Sequence, residues 1–224
     1  MWTPVVIAAV LAAWTAFYIW TDYRWKPHQY VWTKLTASLL FLAIAVSAFL
    51  ALGARADYAV WVIIALCFGL IGDVLLVFSK RPAFFIGGLT SFLLGQVVYG
   101  VTFARFTGFH WVDILIYVAL VGGALIAQRR VRLDFGRMKI PVLAYMLIIS
   151  FMFTMALGAL YKPGFSPIVT AAIVSGAALF TASDIVLAFV LFAENPKKPL
   201  RAVNLSLYYT AQMILALSVA AMAL

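Results

Sequence analysis

The sequence predicts an all-α, polytopic membrane bundle of eight transmembrane helices, and three observations carry that prediction. Hydrophobic residues make up 67% of the chain and charged residues 10%, with a mean hydropathy of +1.10. Soluble domains are roughly half apolar and about one-quarter charged. A spanning helix takes about 20 apolar residues, and the 224 residues hold eight such runs with little between them. No proline falls in the middle of a run. This composition excludes an ordinary soluble enzyme, a disordered chain and a disulfide scaffold. The chain is expected to form one integral, multi-pass membrane domain over residues 1–224, in the plasma (inner) membrane if it is bacterial.

The first span covers 3–20 and opens at Pro4; no basic stretch precedes it, so it is expected to be retained rather than cleaved as a signal peptide. The second covers 34–52 and the third 58–79, which runs out at Lys80-Arg81. Pro82 opens the fourth, 82–105. The fifth, 110–127, ends in an arginine cluster; Pro141 and Pro167 stand at the starts of the sixth and seventh, 140–160 and 166–192. The eighth covers 201–223. Proline in the first turn removes no helical hydrogen bond, whereas Pro27, Pro163, Pro196 and Pro199 are assigned to connections.

Net charge +9 would suggest a nucleic-acid partner in a soluble chain; here it serves orientation, and no nucleic acid is expected. The connections after spans 1, 3, 5 and 7 hold thirteen basic residues: Arg24, Lys26, Lys34, Lys80, Arg81, Arg129, Arg130, Arg132, Arg137, Lys139, Lys197, Lys198 and Arg201. The other side holds three, Arg55, Arg105 and Lys162. Basic residues in short loops stay cytoplasmic, so both termini are expected outside the cytoplasm. Trp20, Trp25 and Trp32 on one side, and Trp61 and Trp111 on the other, fit interfacial belts.

Of seven acidic residues only Asp73 and Asp184 lie well inside spans; Asp113 stands near a helix start. A carboxylate at bilayer depth is expensive and normally faces the bundle interior. Gly72-Asp73-Val-Leu-Leu-Val-Phe78 in span 3 echoes Ser183-Asp184-Ile-Val-Leu-Ala-Phe189 in span 7, an echo compatible with two parallel four-helix halves. Counted back from the basic helix ends, both Asp lie roughly 9–12 Å deep, which points to one shared cavity. A structural role, hydrogen-bonding neighbouring helices, competes with a chemical one.

Span 8 adds Arg201, Asn204, Tyr208 and Gln212 at spacings of three, four and four, one helix face, and a polar stripe in lipid must point inward. Span 4 offers Gln96 and Tyr99, with Gly87, Ser91 and Gly95 spaced for close helix approach; Ser91 reads as a tie between helices. The histidines, His28 and His110, lie on opposite sides, and Cys67 is the single cysteine. A zinc site and a serine-hydrolase triad therefore lack their residues, and no P-loop or dinucleotide pattern occurs. No metal and no cofactor is expected. Carboxylate acid–base chemistry or ion translocation remains.

At these residues the chain resembles the YhhN-type lysoplasmalogenase family of eight-helix membrane proteins. The resemblance rests on Gly72-Asp73 with Leu75, Phe85 to Gly88, Ser91-Phe-Leu-Leu-Gly95 through Tyr99, Tyr145 with Met152 and Ala156, Phe180 with Ser183-Asp184 and Leu187-Ala188, and Tyr208-Tyr209 with Ala211-Gln212. The family often has His at the position of Gln96 and Lys-Pro at Lys34-Leu35. Gln96 is accordingly read as a hydrogen-bonding wall. The resemblance implies hydrolysis of the vinyl ether bond of lysoplasmalogens to a fatty aldehyde and glycerophosphoethanolamine or glycerophosphocholine. Asp73 and Asp184 would be the catalytic pair, with either as the acid. Gln96, Tyr99, Asn204, Tyr208 and Gln212 would surround the lysophospholipid. Lys34 and Arg201 at the mouth would hold its phosphate, a role that competes with plain orientation charge and snorkelling.

Two rival readings stay open, a proton-coupled carrier and a lipid-binding protein without activity. Against the carrier, no span carries the Gly/Pro interruption of broken transporter helices. The charge asymmetry predicts that reporter fusions after Leu224 and within the 128–139 connection report opposite compartments; the same compartment for both would refute the eight-span topology.

Overall fold

The computed structural model describes residues 2–24, 27–52, 56–131, 133–162, 164–195, 197 and 199–222. Its helices are α1 (Thr3–Arg24), α2 (Pro27–Leu52), α3 (Ala56–Val77), α4 (Pro82–Thr107), α5 (Trp111–Arg130), α6 (Lys139–Gly158), α7 (Pro167–Phe192) and α8 (Pro199–Ala221). A single 3₁₀ turn, Gly136–Met138, leads into α6. All eight α-helices are long and apolar enough to cross a membrane. Lys26, Arg55, Arg132, Lys198, Trp25, Pro163 and Pro196, used above for charge, belts and connections, lie outside the described residues.

Two prolines are not where the sequence reading puts them. Pro27 and Pro199 open α2 and α8 instead of lying in connections, because proline is preorganised for the first helical position. α2 thus starts seven residues earlier than expected, and Lys34 sits two turns inside the helix rather than at its first position.

Sequence neighbours pack on each other except α4 and α5, and α4 against α6 and α2 against α8 join the first four helices to the last four among the described residues. The halves are not equivalent. α8 also packs on α1 and α3, whereas α4 touches neither α5 nor α7 among the described residues. Half of α8's membrane window is buried, against 6% of α5's; among the described residues α5 packs on no helix but α6. Close approach is sequence-encoded at Gly176, where an added Cβ would lie 2.7 Å from Leu215 of α8. Ser91 of α4 donates to the Phe68 carbonyl of α3 at 2.7 Å, the tie its spacing suggested.

What holds α5 lies at its ends. The sequence reading leaves Asp73 and Asp184 as the acids inside the bundle, but Asp113 is also completely buried. As the third residue of α5 it accepts from the His110 backbone N–H at 2.6 Å, while His110 Nδ1 accepts from the Val112 N–H at 3.3 Å, a reciprocal cap. Lys162, beyond α6, pairs with Asp113 Oδ2 at 3.0 Å and donates to the Gly108 carbonyl at 2.8 Å. The Tyr161 hydroxyl donates to Asp113 Oδ1. Burial, then the neighbouring carboxylate, push the Tyr161 phenol up to about 12, so it stays a donor through the physiological range. At the other end, Leu133 bridges Ala193, Asp134 N–H donates to the Phe192 carbonyl at 2.9 Å, and Phe135 meets Phe192 edge-on at 5.0 Å.

Breaking a buried ion pair from one side typically costs about 3–5 kcal/mol, because the survivor is left charged. Lys162→Met is therefore expected to lower the unfolding temperature in detergent sharply, and Asp113→Asn combined with it to restore most of the loss. Equal losses in the single and double variants would show that the pair does not anchor α5.

Candidate functional site

Asp73 is 2% exposed near the end of α3 and is met by three side chains. Lys34 Nζ lies 3.1 Å from Oδ1, and Oδ2 accepts from Ser38 Oγ at 2.6 Å and from the Tyr208 hydroxyl at 2.9 Å. Lys34 and Ser38 are one turn apart on α2 and so reach the same carboxylate. Lys34, expected at the cytoplasmic mouth, is buried in this ion pair.

The network continues away from Lys34. Gln212 Nε2 donates to the Tyr208 hydroxyl at 3.2 Å, and the Tyr99 hydroxyl donates to Gln212 Oε1 at 3.0 Å. One hydrogen-bonded chain thus links α4, α8, α3 and α2. Gly69 makes room for it, since a Cβ there would lie 2.5 Å from Gln212 Nε2. Phe92 and Phe180 present ring edges to Tyr208 at 5.6 and 5.5 Å, holding the phenol in place from both sides.

Asp184 has a different setting. It is half-buried, and its hydrogen bond is the 2.8 Å contact donated by the Tyr145 hydroxyl of α6. Asn204 Nδ2 donates to the Ser183 carbonyl at 2.8 Å, pinning α7 to α8 one residue before Asp184. No hydrogen bond joins the two carboxyl groups among the described residues. Both line one cavity of about 120 Å³, together with Lys34, Arg201, Asn204 and Tyr208. Leu76, Phe85, Phe92 and Leu187 supply apolar walls, and the exposed Arg201 stands where α8 begins.

Six of the nine site residues named from sequence therefore gather around this space. Gln96, Tyr99 and Gln212 do not line it. Tyr99 and Gln212 support Tyr208 from behind, because Gln212 lies one helical turn, about 5.4 Å, deeper than Tyr208. Gln96 is buried, and neither atom of its amide has a hydrogen-bond partner among the described residues. Ser38 and Tyr145 are contacts that the sequence reading missed. Ser38 carried a signal, its i,i+4 spacing from Lys34; Tyr145 stood among the residues of the family resemblance, but its partnership with Asp184 crosses between helices and no spacing shows it.

Gly69→Ala is expected to fold while displacing the Gln212 amide, a flexible group, from the Tyr208 hydroxyl. Leaving buried polar groups unsatisfied costs about 1–3 kcal/mol, readable as a drop in unfolding temperature. Gly122→Ala on α5, where an added Cβ meets nothing within 4 Å, should leave that temperature unchanged. Indistinguishable variants would deny the chain any role in stability.

The model of the YhhN family matches residues 28–219, and the chain belongs to that family. No curated protein and no solved structure matches the chain.

Proposed function

We propose that this YhhN-family protein hydrolyses the vinyl ether bond of lysoplasmalogens, releasing a fatty aldehyde and a glycerophospho-base. The observation that carries the reading is that Asp73 and Asp184 line one cavity in unlike surroundings, one ion-paired and triply held, the other with a single phenol donor beside apolar walls. Family membership and the resemblance described above support the same chemistry.

In this mechanism Asp184 carries the proton, a form that leaves no unpaired charge against its apolar walls. It delivers that proton to the β-carbon of the vinyl ether, and the double-bond electrons form the new C–H bond. The positive charge then rests on the oxocarbenium ion, C=O⁺. Asp73, kept as the anion of the Lys34 pair, faces this charge across the cavity and stabilises it. Water adds to the oxocarbenium carbon and gives up a proton to the Asp184 carboxylate. The resulting hemiacetal collapses to aldehyde and glycerol hydroxyl, so the proton taken at the start is returned. Asn204 positions Asp184 through the Ser183 carbonyl, and Tyr145 orients its carboxyl group. Arg201 meets the phosphate.

Removing a general acid typically costs about 10²–10⁴-fold in rate, so Asp184→Asn should lose that much aldehyde release from purified protein while remaining folded. Asp73→Asn should lose activity as well. Turnover in D₂O should place one deuterium on the carbon next to the aldehyde carbonyl, and an alkyl ether analogue should bind without reacting. Fatty acid released from ester lysolipids at comparable rates, or full activity in Asp184→Asn, would overturn the mechanism. Lipid binding with no aldehyde formed would favour the non-catalytic reading.

A further inference from the structure

We infer that the apolar groove between α5, α6 and α7 holds the hydrocarbon chain of a single-chain lipid that enters sideways from the bilayer. The inference rests on the reading of the Asp73/Asp184 cavity as the site of an amphiphile, and it adds where the chain goes and by which route.

Asp184 borders three spaces rather than one. Beyond the polar cavity it lines a gap of about 60 Å³ between α4, α6 and α7, and a groove of about 230 Å³ between α5, α6 and α7. Tyr145, its hydrogen-bond partner, lines both apolar spaces and stands at their junction. The groove follows α7 from Thr181 to Phe189, a run of about 12 Å at 1.5 Å per residue. Its walls are hydrocarbon apart from a few groups, and Ala124, Ala127 and Ala188 keep it wide.

The groove exists because α5 and α7 do not pack together among the described residues. Their separation leaves Ile185 57% exposed at the edge of the furrow, toward the bilayer. The Leu133–Ala193 bridge and the Phe135–Phe192 contact close the end nearest Arg130, so the open side is lateral.

Bulk lipid covers any apolar helix face, but it does not explain a furrow that runs into a carboxyl group. Along the path from Ile185 and Ala188 through Asp184 to Arg201, the lining changes from hydrocarbon to carboxyl to guanidinium. That is the order of chain, reactive linkage and phosphate in a single-chain phospholipid. The polar cavity beyond Asp184 offers hydrogen-bonding groups that a phosphate head group can use and a hydrocarbon tail cannot.

The test uses the full chain in nanodiscs and an alkyl-ether lysophosphocholine carrying a diazirine near the end of its chain, a probe with no vinyl ether to hydrolyse. Irradiation should attach it to the segments around Ala127, Met146 and Phe189. Unlabelled alkyl-ether lysophosphocholine should compete, and glycerophosphocholine should not. Ala127→Trp, on the barely buried α5, and Ala188→Trp should each cut that labelling by about tenfold, the effect of roughly 1.4 kcal/mol in affinity. Three results would overturn the inference: label scattered over the outer faces of α1 and α2, equal labelling of the groove by a diacyl phosphatidylcholine probe, or Trp variants that fold and label like the parent. Aldehyde release from the vinyl ether lipid is measured separately. Labelling without aldehyde would reject the proposed chemistry and keep the groove; aldehyde without groove labelling would do the reverse.

Discussion

The ion pair between Lys34 and Asp73 is the constraint around which the bundle is arranged. Two charges at helix depth are tolerable only when each has a partner and the remaining lone pairs and protons are satisfied. The carboxylate therefore takes Lys34 and Ser38 from α2 and Tyr208 from α8. Tyr208 in turn requires Gln212, and Gln212 requires Tyr99. Each link fixes another helix, so satisfying one acid orders α2, α3, α4 and α8 together. The apolar contacts fill the space between these helices, and the polar chain requires one set of faces to meet.

The second acid is placed where that order stops. α3 packs on α8, but the corresponding contact of α7 with α4 is missing, and the space left there is what Asp184 faces. The two aspartates, set in echoing heptapeptides, thus end in dissimilar surroundings. One is tied into the scaffold and the other is reachable from a polar cavity and an apolar one. Rigidity and access are divided between the halves, which suits a site that must hold charge still while admitting a flexible ligand.

The fold was legible because lipid tolerates so few backbone solutions: eight apolar runs of the right length leave only helices. Helix starts shifted where proline was read as a break, at Pro27 and Pro199. The polar stripe of α8 was legible from spacing alone, and four side chains a turn apart did point the same way. Depth was not. Spacing says which face Gln212 occupies but not that the cavity floor lies above it. Asp113 was missed for a related reason: at the third position of a helix an acid looks like a solvated cap, and its burial depends on Lys162, 49 residues later in the chain.

The Asp113–Lys162 pair has an electrical consequence of its own. The two residues stand at the same end of the α5–α6 hairpin, so whichever face of the bilayer receives that end receives both charges. Moving one elementary charge across a membrane potential involves about 2.3 kcal/mol per 100 mV, but a neutral pair crossing as a unit involves none. The opposite end carries Arg129, Arg130 and Lys139. The field across the membrane therefore acts on the hairpin through its arginine-rich connection, and the latch that secures α5 adds nothing to the force that orients it.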